Sequence, residues 1–377
     1  MKIIKIALTL LTLIIGAAFC FKPDLLHGQE RLQKNNLLAD WRPFKEVPGI
    51  NYVGSEKCVA CHENAAQLSG AMAHALVKPG QSSVLSERPV LTFKNGQYSY
   101  QIKRQGNVDI YTVTDGKNTI SEPVLYSFGE GRISQVYIFR HNGLLFESRV
   151  SFYRGIKGLD FTVAQTREMP TSLENALGRE IGQKEQQNCF SCHATAAVSR
   201  GELQLDKLTP GVNCEACHGP GEKHLAAVKN DDLKNLQIFN PKNLSAFELT
   251  QDFCGSCHVS FDKVLSMPPG TDTTRFQPYR LFNSQGHDPN DPRLSCTACH
   301  NPHEKIEQEP AYFDAKCTTC HLTSSKEAKT IVRSAAACPV SSENCVSCHM
   351  PKTTVTEMHF KFTDHQIQIV KPANGNR

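Results

Sequence analysis

Seven times in this chain two cysteines stand three positions apart with a histidine directly after the second. The sets are Cys58/Cys61/His62, Cys189/Cys192/His193, Cys214/Cys217/His218, Cys254/Cys257/His258, Cys296/Cys299/His300, Cys317/Cys320/His321 and Cys345/Cys348/His349. Histidine is 15 of 377 residues, so its recurrence after all seven pairs has a chance probability on the order of 10⁻¹⁰. Two thiols at this spacing can add to the two vinyl groups of one haem as thioethers. The next residue then lies under the iron, where imidazole is a good axial ligand. Zinc ribbons also use CxxC, but they need pairs of pairs and no histidine after each. Disulfide frameworks are irregularly spaced, and a thioredoxin-like motif would occur once. The pattern therefore implies seven covalently bound haem c groups, with the seven motif histidines as proximal iron ligands. Of the 16 cysteines only Cys20 and Cys338 fall outside it; Cys338 reads as a buried, inert thiol.

Each iron has a second axial position. A second histidine there gives a six-coordinate centre that passes electrons, whereas an open position lets a small molecule bind. Eight further histidines exist: His27, His74, His141, His224, His287, His303, His359 and His365. His141 lies beside the Asn142-Gly143 turn and reads as solvated; His27 is in the leader region. The candidate distal ligands are thus His74, His224, His303, His287, His359 and His365, six for seven irons, and that shortfall keeps a catalytic reading in play. Three residues span at most about 10 Å, so His303 cannot go round the haem held by His300 and must serve a neighbour. His224, six residues past His218, poses the same problem.

Six motifs fall between Cys189 and His349, about 27 residues per haem, too few to build a core without a metal or crosslink. Short helices, long loops and a core made largely of haem are expected there. Earlier, from Val90 to about Ala164, the period changes: Tyr98, Tyr100 and Ile102 alternate with polar neighbours, as do Tyr111 and Val113, with Asn95-Gly96, Asp115-Gly116 and Asn142-Gly143 as turns. The expected fold is mainly α with long loops around a multihaem core, plus an inserted antiparallel β region over about residues 90–164. Residues 64–77 read as a helix from the spacing of Ala65, Leu68, Met72, Ala75 and Leu76. The expected domains are a signal peptide (1–21), a first haem segment (22–89), a haem-free β module (90–165) whose default role is structural or docking, a helical connector (166–187), and a hexahaem domain with its tail (188–377).

Lys2 and Lys5 precede an apolar run from Ile6 to Phe21, the pattern of a secretory signal. The run is short for a membrane span, which needs about 20 residues. A membrane anchor, or a lipid on Cys20, is the alternative reading. The chain is thus expected to be exported, to the periplasm or the cell surface. Its formal charge of +4 falls to about +2 without the leader, and two propionates on each of seven haems take it to about −12. A basic sequence therefore gives no support for nucleic-acid binding. Redox proteins with basic docking patches, or membrane quinol-linked donors, are the expected partners.

The phrases around the motifs strengthen this. YVGSEKCVACH spans Tyr52 to His62, with AMAHA around His74; GVNCEACHGPGEKH runs from Gly211 to His224, SCTACHNPHE from Ser295 to Glu304, and NCVSCHMPK from Asn344 to Lys352 with TDH around His365. They resemble the multihaem cytochromes related to the tetrahaem electron acceptor of hydroxylamine oxidoreductase and, more distantly, pentahaem nitrite reductase. The resemblance implies that His74, His224 and His303 are distal ligands and that haems stack in parallel and perpendicular pairs. Those nitrite reductases use CxxCK at the catalytic haem, and every motif here ends in histidine. The expected function is electron transfer, without an enzymatic step. The alternatives are a haem oxidoreductase acting on a small nitrogen or sulfur species at one open iron, and a subunit of an extended cytochrome assembly.

Overall fold

Alternation of aromatic or branched residues with polar ones gives a strand one apolar face, and such alternation organises the amino-terminal half. The structure, a computed structural model, describes residues 38–285, 288, 291–319, 321 and 341–368. Ten strands form one antiparallel sheet: β1 (Leu76–Val77), β2 (Val90–Asn95), β3 (Tyr98–Gln105), β4 (Val108–Thr114), β5 (Thr119–Phe128), β6 (Ser134–His141), β7 (Leu144–Ser148), β8 (Val150–Tyr153), β9 (Gly158–Phe161) and β10 (Gly178–Glu180). The order is β10-β7-β6-β5-β4-β3-β2, with β1 beside β5 and β8 pairing both β6 and β9. The sheet curls until β2 packs against β9, where the Phe93 and Phe161 rings meet edge to face at 5.4 Å. Asn142 and Gly143 both take positive φ at the β6–β7 turn, the geometry an Asn-Gly hairpin favours.

The inner face buries Tyr98, Tyr100, Ile102, Tyr111, Val113, Tyr137, Phe139, Val150 and Phe152 in one cluster. β6 is buried on both faces: Tyr137 and Phe139 point inward, while Ile138 joins a second cluster with Leu76, Leu145, Ile181, Phe190, Ala194 and Leu208. That second cluster seats the helix Gln183–His193 on the outside of the sheet. Phe190 on this helix is fully buried, its ring 5.8 Å from Tyr126 and 5.1 Å from Phe128.

Two expectations fail. The protein is not mainly α: among the described residues helix makes up 30% and strand 24%, with the large curled sheet as the biggest element. The helices are short, the longest α-helix described being the 11 residues of Gln183–His193. The sheet, by contrast, recruits β1 and β10 from outside the alternating segment. The helix expected over 64–77 is absent as well. A 3₁₀ turn covers Asn64–Ser69 and ends at Gly70, and Leu76 and Val77 pair with Phe128 and Ser127 of β5. Backbone pairing to an existing strand outweighs helical periodicity in so short a segment.

Beyond the sheet, a third cluster of Leu38, Trp41, Ile50, Phe239, Leu249 and Phe253 packs beside Cys217 and Cys254. A hairpin of Lys352–Val355 with Phe360–Thr363 returns to the sheet, where Val355 and Met358 bury against Tyr153. His359 fixes this return: its Nε2 lies 2.8 Å from Asp160 Oδ2, and its ring is edge-on to Tyr153. The expected signal peptide with Cys20, and likewise His27, His287, Cys320 and Cys338, lies outside the described residues.

Phe190→Ala removes the aromatic anchor between sheet and helix. It is expected to cost about 3–5 kcal/mol, read as a lowered denaturant midpoint; a loss under about 1 kcal/mol would contradict this joint. The hairpin contact adds a pH dependence. Burial works against ionisation of Asp160, yet hydrogen bonds from the Phe161 N–H, His359 and Arg167 outweigh it and hold its carboxyl below the ordinary 3.8. A carboxyl depressed on folding contributes its stability above the ordinary value and loses it as pH falls through the folded one. Anchorage of the hairpin should therefore hold at neutral pH and weaken in acid below about pH 4. Asp160→Asn should already speed proteolytic cleavage within residues 350–363 at pH 7, and unchanged cleavage would count against the contact.

Candidate functional site

A three-residue offset on a helical turn puts two side chains on one face, and the motifs sit on such turns. The helices are Ser55–Val59, Gln183–His193, Cys214–His218, Gly255–His258, Cys296–Cys299, Pro310–Thr318 and Cys345–His349. The turn closes through the motif itself: the N–H groups of His62, His300 and His321 donate to the carbonyls of Cys58, Cys296 and Cys317 at 2.9–3.0 Å. A π-helical turn, Glu248–Cys254, leads into the fourth motif, a kind of irregularity that recurs at functional sites.

Motifs remote in sequence come together. The side chains of Cys58 and Cys214 are neighbours, as are those of Cys192 and Cys257 and those of Cys254 and Cys296. Cys192 Sγ also lies 3.9 Å from the carbonyl of Ser256, inside the fourth motif. The helix Pro310–Thr318 packs against both Cys296–Cys299 and Cys345–His349, with Phe313 edge-on to the His300 ring at 5.7 Å. The described parts of all seven motifs thus form one connected set. First meets third, third and second meet fourth, fourth meets fifth, and the line continues through sixth to seventh.

Cys61 and Cys348 are exposed, whereas the other described motif cysteines are half-buried. The motif turn is formed at both nonetheless. The Cys61 N–H donates to the Cys58 carbonyl at 3.1 Å, and Cys348 lies within the helix Cys345–His349, with Ser347 Oγ at 3.8 Å from its Sγ.

The histidines pair across this set. Ring centres of His62 and His224 are 6.2 Å apart, those of His218 and His303 5.9 Å, and those of His300 and His365 6.1 Å. Two imidazoles on opposite sides of one metal would show about 6 Å, from two bonds of about 2 Å and about 1 Å from each nitrogen to its ring centre. Five rings are also oriented. Nδ1–H donates from His193 to the Ala75 carbonyl at 2.8 Å, from His218 to Phe239 at 3.0 Å, from His224 to Leu236 at 2.8 Å, from His349 to Gln368 at 2.7 Å and from His365 to Thr363 at 3.0 Å. A carbonyl only accepts, so Nδ1 carries the proton and Nε2 is left as the donor atom toward a metal. Burial pushes His193, His218, His258, His300 and His365 below the ordinary histidine value, favouring the neutral form that ligates. Among the described residues, no group of three His, Cys, Asp or Glu side chains converges as a bare metal ion requires. A macrocycle that brings its own four nitrogens asks only for the two imidazoles. The residues present fit haem c.

His303 faces His218, not the adjacent His300, and His224 faces His62, not His218. His74 lies on a loop strapped to the third motif's approach: Val212 N–H donates to Met72, and Gln67 Nε2 to Val212. At Gly211 an added Cβ would strike the Ala73 carbonyl at 1.8 Å. His359 is engaged by Asp160 instead of another imidazole, and His141 by Glu122 at 2.7 Å. No ring pair like these three involves His193, His258 or His349 among the described residues. Sequence reading missed the carboxylate of Glu215, inside the third motif, because a glutamate between two motif cysteines carries no pattern of its own.

Similarity to known proteins runs the same way. Residues 200–312 match the family model described as outer membrane cytochrome MtrC/MtrF-like, domains II/IV, and residues 156–219 match that of cytochrome c554 and c-prime. The multiheme cytochrome MtrA of Shewanella baltica (strain OS185) is 28% identical over 205 residues, covering 50% of this chain and 54% of the relative. The chain thus spans about half the length of the curated relative it matches. An undecaheme cytochrome from the S-layer of Carboxydothermus ferrireducens aligns over 86% of this chain and 54% of its own, at 16% identity and a TM-score of 0.40. Motif chemistry and the family-model and MtrA matches make the chain similar to multihaem c-type cytochromes, a similarity that implies covalently bound haem c.

Proposed function

We propose that this protein is a heptahaem electron relay of the cell envelope. The observation that carries the reading is the set of three histidine pairs, each joining two different motifs at 5.9–6.2 Å. His62, His193, His218, His258, His300, His321 and His349 are proximal ligands in this reading. His224 completes the coordination begun by His62, His303 that of His218, and His365 that of His300. Cys61 and Cys348 keep their place as attachment points, since an exposed thiol adds to a vinyl group as readily as a half-buried one. Haem c bound there supplies an iron that gains or loses one electron, at a potential set by its ligands and surroundings.

The chain's own work is to hold the imidazoles. The carbonyls of Phe239, Leu236 and Thr363 fix ring orientation and raise ligand basicity. The pairs Cys58–Cys214, Cys192–Cys257 and Cys254–Cys296 make attachment points of different motifs neighbours. Export follows from the leader pattern and from the requirement of thioether attachment for an exported chain, and the matched family model is named for an outer membrane cytochrome. No helix among the described residues is long and apolar enough to cross a membrane. Partners in this reading are proteins that deliver or accept electrons. The relation to the tetrahaem acceptor of hydroxylamine oxidoreductase rests on the motif phrases.

A second reading rests on the shortfall of candidate distal histidines, six for seven irons, which the engagement of His359 by Asp160 deepens. In it one iron keeps an open position, where a small nitrogen or sulfur species reacts. The mass of the holoprotein should show seven haems. Once reduced, it should pass its electrons to an oxidised soluble cytochrome and show no sustained turnover of hydroxylamine, nitrite or sulfite. Sustained turnover would move the assignment to the second reading, and fewer than seven haems would overturn the count. His303→Ala should turn one low-spin iron high-spin in the low-temperature EPR spectrum; an unchanged spectrum would remove His303 from the ligand set.

A further inference from the structure

The third motif reads Cys214-Glu215-Ala216-Cys217-His218, and its glutamate is buried, with only 4% of its surface exposed. Burying a carboxylate is costly unless its oxygens are hydrogen-bonded. Glu215 meets that condition with three backbone N–H donors: Val53, bifurcated at 2.9 and 3.1 Å, Gly54 at 2.9 Å and Gly221 at 2.8 Å. A carboxylate has about four acceptor positions, and these four contacts occupy them, the pattern of an ionised group. None of the three donors is a cation, so the charge is stabilised but not cancelled.

Glu215 belongs to the third motif, and its donors flank both ligand-bearing segments of the first site. Val53 and Gly54 lead directly into the helix that carries Cys58, and Gly221 precedes the helix that carries His224. At Gly221 an added Cβ would lie 2.9 Å from Val53 Cγ2, so a side chain there would have to displace that methyl. A second carboxylate, Glu222, binds the same strand from the surface, accepting from the Asn51 N–H at 2.9 Å and its Nδ2 at 3.0 Å. The two glutamates differ in one respect that matters: Glu215 is enclosed, where its field is little screened, and the bonds of Glu222 to Asn51 are exposed to water.

We propose that Glu215 is a positioning residue and a fixed negative charge shared by the first and third haem sites, locking them together and holding both at a lower potential than their histidines alone would set. This rests on the assignment of haem to those two motifs. A buried anion stabilises the oxidised, more positive iron over the reduced one, so the sign is downward for both sites. The test is an EPR-monitored redox titration of the holoprotein, with haem content fixed beforehand by mass. Absence of haem from the first or third motif of the wild type would refute the haem assignment itself, apart from any role of Glu215. With seven haems in place, Glu215→Gln should raise two midpoint potentials most, with the other five moving less, while Glu222→Gln leaves all seven in place. Unmoved potentials in Glu215→Gln, a uniform shift of all seven, or an equal effect of Glu222→Gln would overturn the proposal. If Glu215→Gln fails to load haem, Glu215→Asp keeps the charge. It should load seven haems at near wild-type potentials, and loss of haem or raised potentials there would also overturn it.

Discussion

An iron bound on one face by the residue next to its attachment point must find its other ligand elsewhere, because a few residues of chain cannot travel round a macrocycle. That constraint organises this molecule. His224 and His303 lie six and three residues beyond motif histidines, yet the rings they face are those of His62 and His218. In the proposed reading each pair ties two segments together, so the sites of His62, His218 and His300 are not complete alone. The pairs His62–His224 and His218–His303 draw on the third motif and its flank, and His300–His365 reaches from the fifth motif to the segment after the carboxy-terminal hairpin. Ligation at those sites and tertiary structure are then the same set of contacts.

The curled sheet stands apart from this economy. Its interior is built from Tyr98, Tyr100, Tyr111, Tyr137, Phe139 and Phe152, and it owes nothing to cofactor. Its outer face holds the second motif in place, since Phe190 plugs against Tyr126 and Phe128, and the Phe128 ring lies 4.7 Å from that of His193. His359 and Asp160 bring the chain after the seventh motif back to the same sheet. An apolar body thus supports a region whose attachment cysteines are at most half-buried, with Cys61 and Cys348 exposed.

The sheet was legible wherever residues alternate, as at Tyr98–Ile102 and Tyr111–Val113. It was illegible where strands are two or three residues long, as at Leu76–Val77 and Gly178–Glu180, because period-2 patterning needs more positions than that. The mainly α expectation gave too much weight to the haem region, where the described helices are short and separated by long loops. At the site, residue types and spacing gave the attachment points and most of the imidazoles. The partners of those imidazoles were hidden, because pairing depends on how segments 65 to 162 residues apart come together. His359 shows the limit well: its side chain is indistinguishable in sequence from that of His365, yet one meets Asp160 and the other meets His300. Glu215 was invisible for the same reason, its role being defined by donors from Val53, Gly54 and Gly221.

The central claim is that the fold holds imidazoles in pairs on opposite sides of single irons. Near-infrared magnetic circular dichroism of the oxidised holoprotein tests it directly, because the ligand-to-metal band reports the axial pair and its intensity counts the sites. The account predicts bis-histidine intensity for at least three irons. Intensity for fewer than three would show that the cross-motif pairs are not axial ligands and would contradict it.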